Sequence, residues 1–178
     1  MIQMTVGEFK AQFSSILEKV LQGEEVQILY GRAREPVAVF KRIEETVKYL
    51  IGTDIFVSLL LNTNKISKRA MEIINTVEEI YISPISFWEI ATKVQSKDID
   101  LGSINVLHLP HIAEQYNLKL LSPEPYDYVS STQISQTTNE NPPYDLMLVQ
   151  QAIRNNLTLI SKDETLRQYK ENGLRLMW

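Results

Sequence analysis

The chain has 178 residues, 44% of them hydrophobic and 22% charged, which suits one ordinary domain with a small module beside it and is too apolar for a disordered chain. It has no cysteine, which excludes a disulfide framework and a thiolate metal site, and its formal net charge of −4 is a poor global signature for a nucleic-acid binder but agrees better with an acidic metal site. The start is amphipathic rather than a signal peptide and no apolar run approaches the roughly 20 residues of a membrane span, so the expected compartment is the cytoplasm, with no membrane partner.

Thr5-Val6-Gly7-Glu8 fits a capping box, in which a hydroxyl and a carboxylate satisfy free backbone N–H groups at a helix start. Phe9, Phe13, Ile16, Leu17, Val20 and Leu21 then share one helical stripe, and Gly23 can end the helix in a left-handed conformation. Residues 26–30 read as a strand, 31–34 as a turn and 36–40 as a second strand. The result is a helix–hairpin module over 1–42. One helix on two strands is marginal alone, so the module should pair with a second copy and make the protein at least a dimer.

A short charged linker, 43–46, leads into a different pattern over 47–178. Short apolar strands are expected at 49–51, 80–82, 118–121, 157–161 and 174–178. Helices are expected around 55–61, 67–77, 87–94, 112–116, 126–135, 146–155 and 164–170, with a polar loop at 136–143. Strands alternating with helices predict an α/β fold with a parallel sheet.

Three acids stand just beyond strands or at helix starts: Glu89, Asp145 and Asp163. In an open parallel sheet the loops at the carboxyl ends of strands gather on one edge, so acids far apart in sequence can converge there. Crowded carboxylates repel one another unless a hard divalent cation such as Mg²⁺ or Mn²⁺ binds them. Such an ion can activate water and stabilise phosphodiester cleavage. The plainer reading makes Asp145 a first-turn acid favoured by the helix dipole and Asp163 an N-cap.

Four segments in order resemble the VapC-type PIN domain family over 47–178. Val47-Lys48-Tyr49-Leu50-Ile51-Gly52-Thr53-Asp54 is similar to its opening strand, and Ser83-Pro84-Ile85-Ser86-Phe87-Trp88-Glu89-Ile90-Ala91-Thr92-Lys93 to its Ser-x-x-Ser-x-Trp-Glu-Ile-x-x-Lys segment. Pro142-Pro143-Tyr144-Asp145-Leu146 resembles Asp-Pro-Phe-Asp-Arg, and Thr158-Leu159-Ile160-Ser161-Lys162-Asp163 resembles Thr-Leu-x-Ser-x-Asp. The resemblance implies a PIN-like parallel sheet flanked by helices, dimerisation, and Mg²⁺-dependent cleavage of an RNA substrate through Glu89, Asp145 and Asp163. The departures fall on chemistry. The family's first acid aligns with Gly52, and Asp54 stands two positions late. Another family acid is Pro142 here, and an arginine is Leu146, which removes a phosphate contact. Trp88 reads as core, His108 and His111 match no motif, and Lys93 is either a substrate contact or a solvated helix side chain.

Met4-Thr5-Val6-Gly7-Glu8-Phe9-Lys10-Ala11, Gly23-Glu24-Glu25-Val26-Gln27-Ile28 and Arg32-Ala33-Arg34-Glu35-Pro36-Val37-Ala38 resemble the Phd/YefM antitoxin DNA-binding domain. The resemblance implies operator DNA as a partner, with Thr5, Lys10, Arg32 and Arg34 as candidate contacts. The leading expectation is therefore a toxin–antitoxin fusion whose PIN nuclease is weakened or lost. Two others stand beside it: an active ribonuclease in which Asp54 replaces the missing acid, and a non-catalytic regulator that binds another toxin. If Gly52 marks a lost ligand, Gly52→Asp should restore a fourth carboxylate.

Overall fold

The computed structural model describes residues 2–42, 47–134 and 141–178. The chain divides into two compact units, 1–46 and 47–178. The linker 43–46 and residues 136–140 of the expected polar loop lie outside the described residues.

The first unit contains β1 (Ile2–Thr5), α1 (Val6–Ala11), α2 (Phe13–Leu21), β2 (Val26–Tyr30) and β3 (Glu35–Phe40). The capping box forms: Thr5 N donates to Glu8 Oε2 at 2.7 Å and Glu8 N donates to Thr5 Oγ1 at 3.3 Å. Two expectations need correction. The single expected helix is interrupted at Gln12, whose φ of −115° and ψ of 17° are not helical. The expected hairpin forms, with β3 antiparallel to β2, but it is part of a three-stranded sheet ordered β1-β2-β3 in which the unexpected β1 runs parallel to β2. A parallel partner far away in sequence leaves no local pattern, which is why the sequence does not announce β1. Ile16 and Val20 of the stripe bury against Val26 and Ile28, with Phe9 and Phe40 in edge contact beside them. Leu17, Leu21, Val37 and Val39 stay exposed.

The second unit contains β4 (Tyr49–Ile51), α3 (Thr53–Leu61), α4 (Lys68–Thr76), β5 (Ile80–Ile82), α5 (Pro84–Gln95), α6 (Leu109–Gln115), β6 (Lys119–Leu120), α7 (Pro125–Ser131), α8 (Pro143–Arg154), β7 (Thr158–Ile160) and β8 (Arg175–Met177). The helix expected at 164–170 is a 3-10 helix over Glu164–Asn172, capped by Asp163 and ended by Gly173 at a left-handed φ of 98°. The five strands run in the order β6-β5-β4-β7-β8 and every neighbouring pair is parallel. This is the α/β sheet the sequence predicts.

Strand alternation explains why both faces are covered. Leu50 and Leu159 point into one apolar cluster with Leu146, Val149 and Tyr169. Their neighbours Ile51 and Ile160 point into the other, with Ile55, Phe56 and Ile90. The order also contains a switch point. From β4 the chain moves outward to β5 and β6, then returns to β7 on the other side of β4. The loops after β4 and β7 therefore diverge and leave a crevice at the carboxyl ends of the strands.

Candidate metal centre

Gly52 follows β4 with an ordinary φ of −70°, so its backbone would accept any residue. Asp54 sits in the first turn of α3, and its Oδ2 accepts from Lys162 N at 2.8 Å. Glu89 comes from the middle of α5, a helix opened by the Ser83 cap and Pro84. Asp145 lies in the first turn of α8 and Asp163 caps the 3-10 helix after β7. These four acids, with Gly52, Lys93, Ser161 and Lys162, line one cleft of about 280 Å³. His108 and His111 are not among its lining residues.

Electrostatics follow from this crowding. Burial, then the charges of Glu89 and Asp163, push the Asp145 carboxyl up to about 7. Burial also raises Asp54, against the pull of the Lys162 amide and the Ser161 hydroxyl. Burial lowers Lys93, but its hydrogen bond to Glu89 and the charges of Glu89 and Asp145 outweigh this and hold it above its ordinary value. Lys93 Nζ meets Glu89 Oε1 at 2.5 Å and lines the cleft. Glu89 is only 3% exposed, and its other oxygen, Oε2, is buried with no partner among the described residues. A buried carboxylate oxygen left unmatched is costly unless something polar or cationic meets it.

The space at Gly52 is decisive for the missing acid. A Cβ there would lie 2.5 Å from Asp54 Oδ1, 3.2 Å from Ile160 O and 3.2 Å from Ser161 Cβ. The carboxylate of Asp54 thus occupies the volume that a side chain at 52 would enter. The chain turns into α3 after Gly52. Two residues then add only about 3 Å of rise, and the side chain leans back toward the helix start.

A PIN domain family model matches residues 49–172. The chain belongs to the PIN domain family. Among solved structures, the PIN unit is similar to a chain of the DNA-bound VapBC complex of Salmonella typhimurium, at 18% identity and a TM-score of 0.53 over 74% of this chain and 98% of that one. VapBC2 of Rickettsia felis bound to a promoter DNA fragment gives 20% identity and 0.53 over the same shares. VapBC-1 of Haemophilus influenzae gives 16% and 0.52 over 74% and 97%. No curated protein sequence matches the chain. Among the described residues, no helix is long and apolar enough to cross a membrane.

The PIN cleft fits a hard divalent cation. Its donors are carboxylate oxygens, one of them buried and unmatched among the described residues, and burial with the neighbouring carboxylates pushes Asp145 up to about 7. Among the described residues, no three acidic or histidine side chains already stand in ligating positions, and Lys93 neutralises Glu89 in the arrangement seen.

The PIN unit also contains residues whose roles the sequence pattern does not convey. Trp88 is 58% exposed rather than core, its ring against Tyr144 at 4.8 Å. Asn141 is buried; it donates to Thr165 Oγ1 and accepts from Tyr169, both at 2.8 Å, and it also bonds Asp145. It ties the start of α8 to the segment after Asp163. Only its position before Pro142 hints at this.

The nucleic-acid candidates lie in the first unit. Thr5 is the α1 cap, with its hydroxyl already bonded to Glu8, and Lys10 is in the last turn of α1. Arg32 and Arg34 are exposed in the β2–β3 turn, where Arg34 takes a left-handed φ of 55°. The Thr5 hydrogen bonds lower the Glu8 carboxyl, with a smaller contribution from the charge of Arg34.

Proposed function

We propose that this chain is a toxin–antitoxin fusion: a Phd/YefM-type module that dimerises and binds operator DNA, followed by a VapC-type PIN ribonuclease that uses Mg²⁺ or Mn²⁺. The observation that carries the nuclease reading is the single cleft holding Asp54, Glu89, Asp145 and Asp163, with Glu89 Oε2 buried and unmatched. The VapBC relatives bound to DNA support an association with DNA, and the first unit is where this chain's candidate contacts lie.

Asp54, Glu89, Asp145 and Asp163 would hold the ion. When bound, it supplies an activated water and offsets charge on the scissile phosphate. The chain's own groups set the stage for it. The Lys162 amide and the Ser161 hydroxyl orient Asp54, Asn141 fixes Asp145, and Lys93 pairs with Glu89 Oε1.

The Gly52–Asp54 geometry favours the active reading over the weakened one, because a carboxylate fills the place of the missing acid. The parent should therefore cleave RNA with Mg²⁺, chelation should stop it, and Glu89→Gln should slow it by roughly a hundredfold or more. A parent no faster than Glu89→Gln in saturating Mn²⁺ would support the non-catalytic regulator instead.

The DNA-binding half has its own test. The protein should scatter light as a dimer at micromolar concentration. Replacing Arg32 and Arg34 with Ala should weaken operator binding and lower the salt slope by about 0.9 for each phosphate no longer neutralised. An unchanged slope would make both arginines ordinary turn charges.

A further inference from the structure

Asp145 and Asp163 reach the cleft from separate elements, the first turn of α8 and the cap that follows β7. The two carboxylates repel each other, and one ion can be gripped by both only if that repulsion does not spread them. We propose that Asn141 is a positioning residue that holds this pair at one spacing: its amide bonds Asp145 directly and reaches Asp163 through the Thr165 hydroxyl. The proposal rests on the metal-dependent nuclease reading and adds to it the device that spaces two of its ligands.

The hydrogen bonds form a chain with a fixed direction. Asn141 Nδ2 donates to Thr165 Oγ1 at 2.8 Å, and Thr165 Oγ1 donates to Asp163 Oδ1 at 2.8 Å. Thr165 N also donates to Asp163 Oδ1, at 2.9 Å, which fixes the rotation of that carboxylate. The same Asn141 amide bonds the Asp145 carboxylate, which accepts when ionised. The other end of the amide is held too. Asn141 Oδ1 accepts from Gln168 Nε2 and from the Tyr169 hydroxyl, each at 2.8 Å, and Tyr169 is fully buried. With the oxygen committed to those two donors, the NH₂ group is the end that faces the acids.

The backbone around the amide is stiff. Pro142 and Pro143 follow it, with Pro142 at a φ of −62°, and a residue before proline is confined to extended conformations. Asp145 N then donates to Pro142 O at 3.0 Å, which closes the turn between Asn141 and Asp145. Asn141 is 8% exposed. Burying an amide costs stability unless its polar atoms are matched, and an apolar side chain would join α8 to the 3-10 helix without that requirement. The amide supplies what an apolar contact does not: donors aimed, from one rigid group, toward two carboxylates.

The test is calorimetric titration of the full chain with Mn²⁺, beside chemical unfolding of the metal-free protein. Thr165 is exposed, and Thr165→Val keeps its branched shape while replacing the hydroxyl with a methyl. This variant should bind Mn²⁺ about 10-fold more weakly, with a metal-free unfolding midpoint close to the parent's. Thr165→Ser restores the hydroxyl and should match the parent's affinity within about twofold. Asn141→Ala should weaken Mn²⁺ binding about 10- to 100-fold. Adding Thr165→Val to it should weaken binding by no more than about threefold further, because an unanchored Thr165 no longer sets the spacing. If the parent binds Mn²⁺ and Thr165→Val binds it equally well, or if the double variant shows the full product of the two single losses, the bridge is overturned and the metal reading stands. A parent that binds no Mn²⁺ overturns both. Should Asn141→Ala fail to fold, the contrast between Thr165→Val and Thr165→Ser decides.

Discussion

Asp145→Asn should make the metal-free protein more stable at pH 8 while removing the proposed metal-dependent activity. The Asp145 carboxyl ordinarily titrates near 3.8 and is pushed up to about 7 here, first by burial and then by Glu89 and Asp163. The folded chain therefore holds this proton more tightly than the unfolded chain does. Below pH 4 both states are protonated and the group costs nothing. As pH rises from about 4 to 7 the unfolded state ionises first, and folding loses stability across that window. Above 7 the penalty is complete, on the order of a few kcal/mol for a shift of this size. Asn carries no charge to bury, so its unfolding midpoint should exceed the parent's by roughly 5–10 °C at pH 8 and by little at pH 4.5. Adding Mn²⁺ should reverse the order, because only the parent gains ligand stabilisation. Calorimetry at the two pH values, with and without Mn²⁺, checks this. A variant less stable than the metal-free parent at pH 8 would mean the carboxylate is satisfied without a cation.

Much of this is readable from residue order, and the remainder is hidden for physical reasons. The parallel sheet follows from short apolar strands spaced by helices, and Leu50-Ile51 and Leu159-Ile160 show why each must be apolar at successive positions: both faces are covered. The strand β1 is hidden because its pairing to β2 is non-local. Trp88 departs from expectation because an aromatic in an apolar helix usually faces inward, whereas here that face of α5 carries Ile85 and Ile90. Asn141 has no residue-type signature, since its role depends on Thr165, Tyr169 and Asp145 meeting around it. Gly52 shows the limit most clearly. Aligned residue by residue, it looks like a lost acid; in space, Asp54 fills the gap.

That geometry reverses the simple expectation for Gly52→Asp. The backbone would accept the change, but the new Cβ would stand 2.5 Å from Asp54 Oδ1 and 3.2 Å from Ile160 O. The single variant must push Asp54 aside and crowd two carboxylates into one place. It should lose about 1–3 kcal/mol of stability, the usual cost of overpacking, and bind metal less well than the parent. Gly52→Asp combined with Asp54→Ala clears the space and returns a carboxylate to it. The double variant should recover most of the lost metal affinity, while Asp54→Ala alone should not. Such a pattern is strongly non-additive, as expected for two residues that compete for one volume.

Calorimetric titration with Mn²⁺ of the parent, Asp54→Asn and the Gly52→Asp, Asp54→Ala double variant reads this without depending on turnover. The parent should bind one ion per chain, Asp54→Asn should bind it about 10- to 100-fold more weakly, and the double variant should return to within a few-fold of the parent. Equal affinity in the parent and Asp54→Asn, with no recovery to be made by the double variant, would show that Asp54 merely holds the Lys162 amide and that the first acid of the PIN site is missing.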